Sequence, residues 1–313
     1  MKEMVVLSSL QLQWIYHGKE RMMLREFLRE NRISKQALTD IKFRGGLIKV
    51  NDKEETVRYF LNDFDRVTVV FPNEERSKNL LAENMPIDII YEDSYFLICN
   101  KPPGMNTIPS REWPISSLAN HVLGYYNSIN LPSSIHMVNR LDRDTSGALI
   151  IAKYRHIHYL FSIQQKNIEV KRRYIALVHG KVQKESGSIN FPIGRSDDSI
   201  IERMVREDGQ EAVTHYEVLC QNDEYSLVSI VLETGRTHQI RVHFSHIGHP
   251  LVGDDLYGGK REIITRQALH SFEVEGIHPF TDEPFKSVAP LPNDMERVLI
   301  DLFGKEVIED ELA

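Results

Sequence analysis

Cysteine is nearly absent from this sequence of 313 residues, which contains only Cys99 and Cys220. Neither has a second cysteine nearby, so the chain lacks the CxxC pairs of structural zinc sites and the cysteine density of disulfide scaffolds. This usage is typical of a reducing compartment, and we expect a cytoplasmic protein. Long apolar runs are also missing, since no stretch reaches the roughly 20 residues of a membrane-spanning helix. The opening MKEMVVLSSLQLQWIY is interrupted by polar residues and lacks the cleavage site of a signal peptide.

Basic residues are fewer than acidic ones, with 38 Lys+Arg against 45 Asp+Glu and a net charge of -7. An RNA-binding protein nevertheless needs local positive charge, because it must neutralise backbone phosphates. The segment from Lys101 to Gly180 supplies such charge, with ten Lys+Arg against four Asp+Glu. The composition therefore allows a basic surface on an acidic protein, but it does not place these cations on one face.

The first 72 residues predict a small α/β domain. MMLREFLREN places its apolar residues on one helical stripe, and ISKQALTDIKF predicts a second helix that Ser34 caps. LIKVND and DRVTVVFP follow the break at Gly45-Gly46 and predict strands. Residues 73–86 are polar and charged, which indicates a linker. We predict a larger domain over residues 87–300 and an acidic C-terminal tail over residues 301–313.

The sequence of the larger domain predicts strands and helices that do not alternate as in βαβ units. It contains no internal repeat or low-complexity tract. The predicted strands are IDIIYED, YFLICNKP, GALIIAKY, RRYIALVHGKV, AVTHYEVLC and YSLVSIVLE, and the predicted helices are SSLANHVLGYYNS and RHIHYLFSIQQKN. This order favours an α+β fold with a mixed, largely antiparallel sheet.

Three segments carry a recognisable pattern: NKPPGM (100–105), NRLDRDTSGALIIAK (139–153) and TGRTHQIRVHFSHIGHPLVGDDLYG (234–258). Over about residues 87–295 the chain resembles the RluA family of RNA pseudouridine synthases, and several ordered blocks are more specific than one short motif. The resemblance implies a pseudouridine synthase fold with a central catalytic cleft, and an isomerase that acts on uridines in structured RNA. The N-terminal residues resemble the alpha-L domain (ribosomal protein S-four type), an RNA-binding domain.

The chemistry of the implied reaction limits what the protein must supply. Uridine becomes pseudouridine when the bond between ribose and base nitrogen breaks, the uracil rotates, and a ring carbon bonds to the ribose. No atom is gained or lost. The enzyme needs a nucleophilic carboxylate, a group that moves one proton, and a pocket for a base outside the stack. We therefore expect no cofactor and no metal.

The resemblance implies three catalytic residues. The aspartate of the RLD triplet is the family's nucleophile, which assigns Asp142 and not Asp144. If TGRTHQIRVHF is a strand, Arg241 projects from its polar face. The resemblance places Arg241 beside Asp142, where it would keep the carboxylate ionised in a partly dehydrated pocket. Tyr174 matches the family tyrosine that lies against the uracil, and it has a stacking face and a hydroxyl for proton transfer.

Other residues are predicted to bind RNA or substrate. By resemblance, Arg140 reaches into the gap that the flipped nucleotide leaves, and Lys101 lies near the pocket. The remaining predicted contacts are Arg143, Arg236, His238 and Gln239. One position departs from the family, because Asn139 replaces the usual histidine before RLD, and contacts around the flipped base are expected to differ there.

Two features of the sequence favour other interpretations. Four histidines in HQIRVHFSHIGH suggest a metal site, but their spacing is poor for one and no HExxH or paired cysteines support it, so we expect structural and RNA-contacting roles. A non-catalytic RNA-binding protein of the same fold would have no need for a nucleophile in a pocket. The expected partner is RNA, ribosomal in preference to transfer RNA, with no nucleotide cofactor and no membrane. We expect a monomer.

Overall fold

The computed structural model describes residues 9–199 and 201–312 of the chain. Its N-terminal unit is an antiparallel sheet that packs against two helices. Its elements are β1 (Gln11–Ile15), β2 (Met22–Met23), α1 (Leu24–Glu30), α2 (Lys35–Phe43), β3 (Leu47–Val50), β4 (Lys53–Glu54), β5 (Phe60–Leu61) and β6 (Arg66–Val70). The sheet has the order β1-β6-β3-β4, and β2 pairs separately with β5. Ser34 caps α2 as predicted, since its hydroxyl accepts a hydrogen bond of 3.1 Å from the Ala37 amide. The assignment of this unit as an RNA-binding domain stays a prediction.

The segment between the two units has no helix or strand from residue 71 to residue 88. It is nevertheless fixed to the larger domain. The Glu74 carboxylate lies 2.5 Å from the His136 ring and accepts a 2.6 Å bond from the Arg155 amide. The Arg76 guanidinium donates to the Ser133 carbonyl at 3.0 Å. These contacts hold the linker along the surface of the larger domain.

The larger domain is built on one broad sheet. Its elements are β7 (Ile89–Glu92), β8 (Phe96–Lys101), α3 (Leu118–Ser128), β9 (His136–Met137), β10 (Ser146–Ala152), α4 (Arg155–Lys166), β11 (Lys171–His179), β12 (Ser186–Asn190), β13 (Ile193–Arg195), β14 (Arg203–Val205), β15 (Val213–Gln221), β16 (Tyr225–Leu232), α5 (Gln239–His246), β17 (Leu269–Ile277), β18 (Pro284–Val288), α6 (Asn293–Phe303) and α7 (Lys305–Leu312). The sheet order is β12-β15-β16-β11-β17-β10-β8-β7, with β9 on β10 and β18 on β17. Strands β10 and β17 are parallel, and the other described pairs of this sheet are antiparallel. The predicted α+β fold with a mixed, largely antiparallel sheet is confirmed.

The parallel contact between β10 and β17 requires a glycine. Gly147 has φ of +112°, and a Cβ atom there would lie 2.2 Å from the Ser271 carbonyl oxygen. An L-amino acid with a side chain would meet both a disfavoured backbone conformation and a steric clash. Gly147 thus allows the first residues of β10 to lie directly beside β17, and this contact sets where the preceding loop ends.

Two predictions about secondary structure are wrong. The hypothesis that TGRTHQIRVHF is a strand is wrong, because the segment is a loop followed by helix α5. Residues 239–244 are all buried, so alternation of apolar and polar residues did not distinguish a strand from a fully enclosed helix. The acidic tail predicted from residue 301 is also not separate, because α6 runs through Phe303 and α7 packs Ile308 into the domain core.

No helix in the described ranges combines the length and the apolar character needed to cross a bilayer.

We expect His156 to make the stability of the protein dependent on pH. The ring is buried, stacks on Phe71 with centroids 4.8 Å apart, and neither nitrogen has a hydrogen-bond partner in the described part of the chain. Burial lowers the pKa of His156 to about 4. Below the unfolded pKa of 6.5 the unfolded chain binds a proton that the folded chain does not, so stability falls between about pH 6.5 and pH 4.

The variant His156→Phe should lose this contribution and be more stable than the wild type at pH 4.5, by an amount on the order of 2 kcal/mol. Urea unfolding at pH 7.5 and at pH 4.5 measures the difference. His17→Phe, which replaces an exposed histidine, is the control. An equal loss of stability on acidification in the wild type and His156→Phe would contradict the expectation.

Candidate active site

Asp142 lies on a tight turn between β9 and β10. The Thr145 amide donates a 3.2 Å hydrogen bond to the Asp142 carbonyl and closes the turn. On the N-terminal side, the Thr107 hydroxyl donates to the Leu141 carbonyl at 2.7 Å and accepts from the Leu141 amide at 3.2 Å. The backbone around Asp142 is thus fixed on both sides, while its side chain keeps 28% exposure.

Two buried cations donate hydrogen bonds to backbone carbonyls of the same turn. The Lys101 ammonium is fully buried and donates to the carbonyls of Pro102, Met105 and Arg143 at 2.8 to 3.0 Å. The Arg266 guanidinium donates to the Asp144 carbonyl at 3.0 Å. Burial lowers the pKa of Lys101 to about 7, and the nearby Asp142 carboxylate opposes this shift. The prediction that Lys101 contacts RNA is wrong, because its three donors are all taken by the backbone inside the protein.

Arg241 lies between two carboxylates. Its Nε and Nη2 atoms form a two-bond ion pair with Asp254 at 2.7 and 2.8 Å, and its Nη1 atom donates to Asp142 at 3.2 Å. Arg241 is 6% exposed and Asp254 is 2% exposed. The guanidinium also lies 4.9 Å above the ring of Tyr257. The predicted pair of Arg241 with Asp142 is present, although a helix presents the arginine and not a strand.

His238 faces Asp142 from the residue before α5. It adopts a left-handed backbone conformation with φ of 59°, and its Nε2 atom lies 3.8 Å from the Asp142 carboxylate. The Tyr257 hydroxyl accepts a 2.9 Å hydrogen bond from the Arg203 amide and shares a 2.7 Å hydrogen bond with His238 Nδ1. Burial lowers the pKa of His238, and the nearby Asp142 carboxylate opposes this shift.

Asp142, His238 and Arg241 line a cleft of about 940 Å³, which is large enough to enclose a nucleotide. Tyr174 lines the same cleft from β11 with 4% exposure, and its hydroxyl has no hydrogen-bond partner among the residues that the structure describes. Asn139 accepts a 2.9 Å bond from the Ile150 amide, while its side-chain nitrogen is without a partner there. Asp142, Tyr174 and Arg241 therefore meet in one cavity.

The residues predicted to bind RNA divide into two groups. Arg140, Arg143 and Arg236 are exposed at the cleft, and Arg236 donates to the Glu211 carbonyl at 2.9 Å. Gln239 is a correction, since it is 2% exposed and its amide bonds to Thr234, Arg236, Val213 and Thr214. Its amide groups are satisfied inside the protein, so it shapes the loop before α5 and does not reach RNA.

Sequence reasoning missed Asp254, Tyr257 and Arg172 at this site. Asp254 and Tyr257 stand in the quoted block PLVGDDLYG, but adjacent aspartates give no sign of which one is buried. Arg172 precedes Tyr174 by two residues on β11, which places both on the same face of the strand. That spacing was the available signal for Arg172.

The four histidines of HQIRVHFSHIGH do not converge. The ring nitrogens of His243 bond to the Thr214 hydroxyl and the Phe191 carbonyl, at 2.8 and 2.9 Å. The His249 ring bonds to the His179 carbonyl at 2.9 Å. Over the described residues, no group of three or more His, Cys, Asp or Glu side chains is arranged to hold a metal ion.

Comparison with known proteins gives a consistent result. Residues 95–246 match the RNA pseudouridylate synthase family. The chain is 51% identical to the uncharacterized RNA pseudouridine synthase YjbO of Bacillus subtilis over 278 residues, which cover 89% of this chain and 98% of the relative. It is 36% identical to ribosomal large subunit pseudouridine synthase D of Buchnera aphidicola subsp. Schizaphis graminum over 251 residues, covering 75% and 79%. Human RNA pseudouridylate synthase domain containing 1 superposes with a TM-score of 0.56 at 27% identity, covering 67% of this chain and 86% of that one.

We expect Asp254→Asn to slow the enzyme. The amide cannot keep the two-bond ion pair, so Arg241 loses its orientation toward Asp142, and small displacements of a catalytic group lower rates by about 100-fold. Asp255→Asn is the matched control, because the neighbouring Asp255 is exposed and, among the described residues, its side chain pairs only with exposed Arg261. Steady-state kinetics should show a fall in kcat with little change in KM for Asp254→Asn. Equal kcat values for the two variants would show that Asp254 does not position Arg241.

Proposed function

The chain belongs to the RNA pseudouridine synthase family and is an isomerase, and we propose that it modifies uridines of ribosomal RNA with Asp142 as the nucleophile. The observation that supports this role is the Asp142 carboxylate in a large cleft, 3.2 Å from a buried guanidinium. Arg241 favours the ionised carboxylate, and the fixed turn around Asp142 limits its motion.

The proposed reaction uses the groups of the cleft in sequence. The bond between the ribose C1′ and the uracil N1 breaks, its electron pair leaves with the uracil, and an Asp142 oxygen bonds to C1′. The uracil rotates within the cleft, and its C5 atom bonds to C1′ as the bond to Asp142 breaks. The proton on C5 is then removed and N1 gains a proton, so the product is an isomer of the substrate.

Tyr174 is the proposed partner of the uracil. Its ring is held by β11 in the wall of the cleft, and its hydroxyl is without a partner among described residues. A fixed aromatic ring restricts the base to one plane during rotation, and the hydroxyl is available to take the C5 proton.

Three cations at the cleft are available for phosphates. Arg140, Lys166 and Arg172 line it, and none of their side chains has an ion pair or hydrogen bond with the residues that the structure describes. A cation left without a protein partner can neutralise a phosphate without first breaking a contact. We propose that they bind the strand on both sides of the flipped uridine.

The choice of ribosomal RNA rests on relatives whose names specify the ribosomal large subunit. A cytoplasmic location is proposed from the low cysteine content, and a monomeric state is proposed as well.

Asp142→Ala should abolish pseudouridine formation, because no other carboxylate of the described residues bonds to Arg241 Nη1. Asp144→Ala is the matched control two residues away, since the turn uses the Asp144 backbone carbonyl, which alanine keeps. Pseudouridine mapping of cellular RNA from strains that carry each variant measures both the activity and the modified position. Modification retained by Asp142→Ala would refute the nucleophile, and sites in transfer RNA alone would refute the ribosomal substrate.

RNA affinity should fall steeply with salt. Each phosphate contact on a single strand contributes about 0.7 to the slope of log K against log salt concentration. Arg172→Gln should therefore reduce that slope by about 0.7, while Lys260→Gln, an exposed cation outside the cleft, should leave it unchanged. Fluorescence anisotropy of a labelled RNA at several salt concentrations tests this, and an identical slope for both variants would remove Arg172 from the phosphate contacts.

A further inference from the structure

The loop between β8 and α3 exposes apolar side chains at the edge of the cleft. Ile108 is 41% exposed, Trp113 is 50% exposed and Ile115 is 48% exposed. Tryptophan is usually well buried, and an exposed one beside other apolar side chains marks a contact surface. Ile108 is exposed because it lines the cleft. Trp113 does not line the cleft, so the cleft does not account for its exposure.

The loop is fixed at several points. Its start is held by Lys101, which donates to the Met105 carbonyl, and by the Thr107 hydroxyl bonded to Leu141. Around Trp113, the Ser110 amide donates to the Trp113 carbonyl at 2.9 Å, and the Trp113 amide donates to the Ser110 hydroxyl at 3.1 Å. A loop held in this way presents the indole without a large loss of entropy on binding.

Trp113 is connected to the active site through Arg143, the residue that follows Asp142. The Arg143 guanidinium lies 4.9 Å from the centre of the indole ring. Its Nε atom donates to the Gly104 carbonyl at 3.2 Å, and its other N–H groups have no partner within the described ranges. An exposed aromatic ring and a cation with free donors are therefore stacked on each other at the cleft edge.

We propose that Trp113 and Arg143 form a stacking platform for a nucleobase next to the modified uridine. This proposal rests on the proposed function, since it requires RNA in the cleft. Single-stranded RNA is bound by stacking of bases on aromatic rings and on arginine planes, together with cations that follow the backbone. The indole supplies the stacking face, and the free N–H groups of Arg143 supply a contact for the adjacent phosphate.

RNA fits this surface better than a protein partner does. The apolar patch is small and borders directly on the cleft that receives the uridine. Extruding one nucleotide also unstacks its neighbours, which then need a new stacking partner. A ring at the cleft edge would stabilise such a neighbour and keep the flipped uridine from returning.

The tryptophan content of the chain allows a direct test, because Trp14 is the only other tryptophan. Trp14 lies in the N-terminal unit and packs against Phe27 and Phe280. In Trp14→Phe, all tryptophan emission comes from Trp113. Oligoadenylate of about eight nucleotides should quench this emission on binding, because stacking brings a base onto the indole.

Inorganic polyphosphate is the matched probe, since it has phosphates without bases and should bind without comparable quenching. In Trp113→Phe with Trp14 intact, the remaining emission should not respond to oligoadenylate. This second variant also keeps the test decisive if Trp14→Phe does not fold.

Substitutions at Trp113 separate stacking from general apolar contact. Trp113→Ala should weaken the binding of labelled oligoadenylate roughly tenfold. Trp113→Phe should keep most of the affinity, whereas Trp113→Leu, which is apolar but not aromatic, should behave like Trp113→Ala. Equal affinities for the phenylalanine and leucine variants would overturn the platform.

The proposal also fails if labelled oligoadenylate binds without quenching Trp113, or if it does not bind at low salt. These outcomes are distinct from failure of the proposed function, which is judged by pseudouridine mapping with unaltered Trp113. An enzyme that forms pseudouridine while Trp113 does not respond to RNA would retain the function and lose the platform.

Discussion

The active site depends on one guanidinium shared between two carboxylates. Arg241 is buried, and its two-bond pair with Asp254 satisfies most of its charge and fixes its plane. Its Nη1 atom then donates to Asp142, which keeps an exposed edge. A lysine could not fill this position, because its point charge cannot bond to one carboxylate twice and present a third donor in a fixed direction. The arrangement keeps the nucleophile ionised and oriented while the cleft stays open.

Buried cations with hydrogen-bonded donors also hold the turn that carries Asp142. Lys101 and Arg266 place positive charge inside the protein, where the backbone carbonyls of residues 102, 105, 143 and 144 accept hydrogen bonds from them. Buried charges of this kind are stable only when every donor has a partner, so they define one backbone conformation. The count of Lys and Arg in residues 101–180 therefore exceeds the number of positive charges on the surface, since buried Lys101 belongs to this segment.

Much of the architecture was predictable from local sequence. Alternating β-branched and aromatic residues marked the central strands, a serine marked the start of α2, and the ordered blocks around RLD and TGRTHQIR identified the family and the catalytic reaction. These features depend on neighbours along the chain, so the sequence alone reveals them. Sequence also indicated that Asp142 and Arg241 act together, although only through resemblance.

The tertiary structure decided which polar residues face the cleft. Lys101 and Gln239 looked like ligand contacts but are enclosed, and Asp254 rather than Asp255 supports Arg241. Helix α5 was misread as a strand because its residues 239–244 are all buried, which removes the exposed polar face that gives a helix its period. Burial and pairing arise between segments distant in sequence, here residues 101, 142, 241 and 254. Local pattern contains no information about such contacts, whereas it does determine the strands and helices that bring them together.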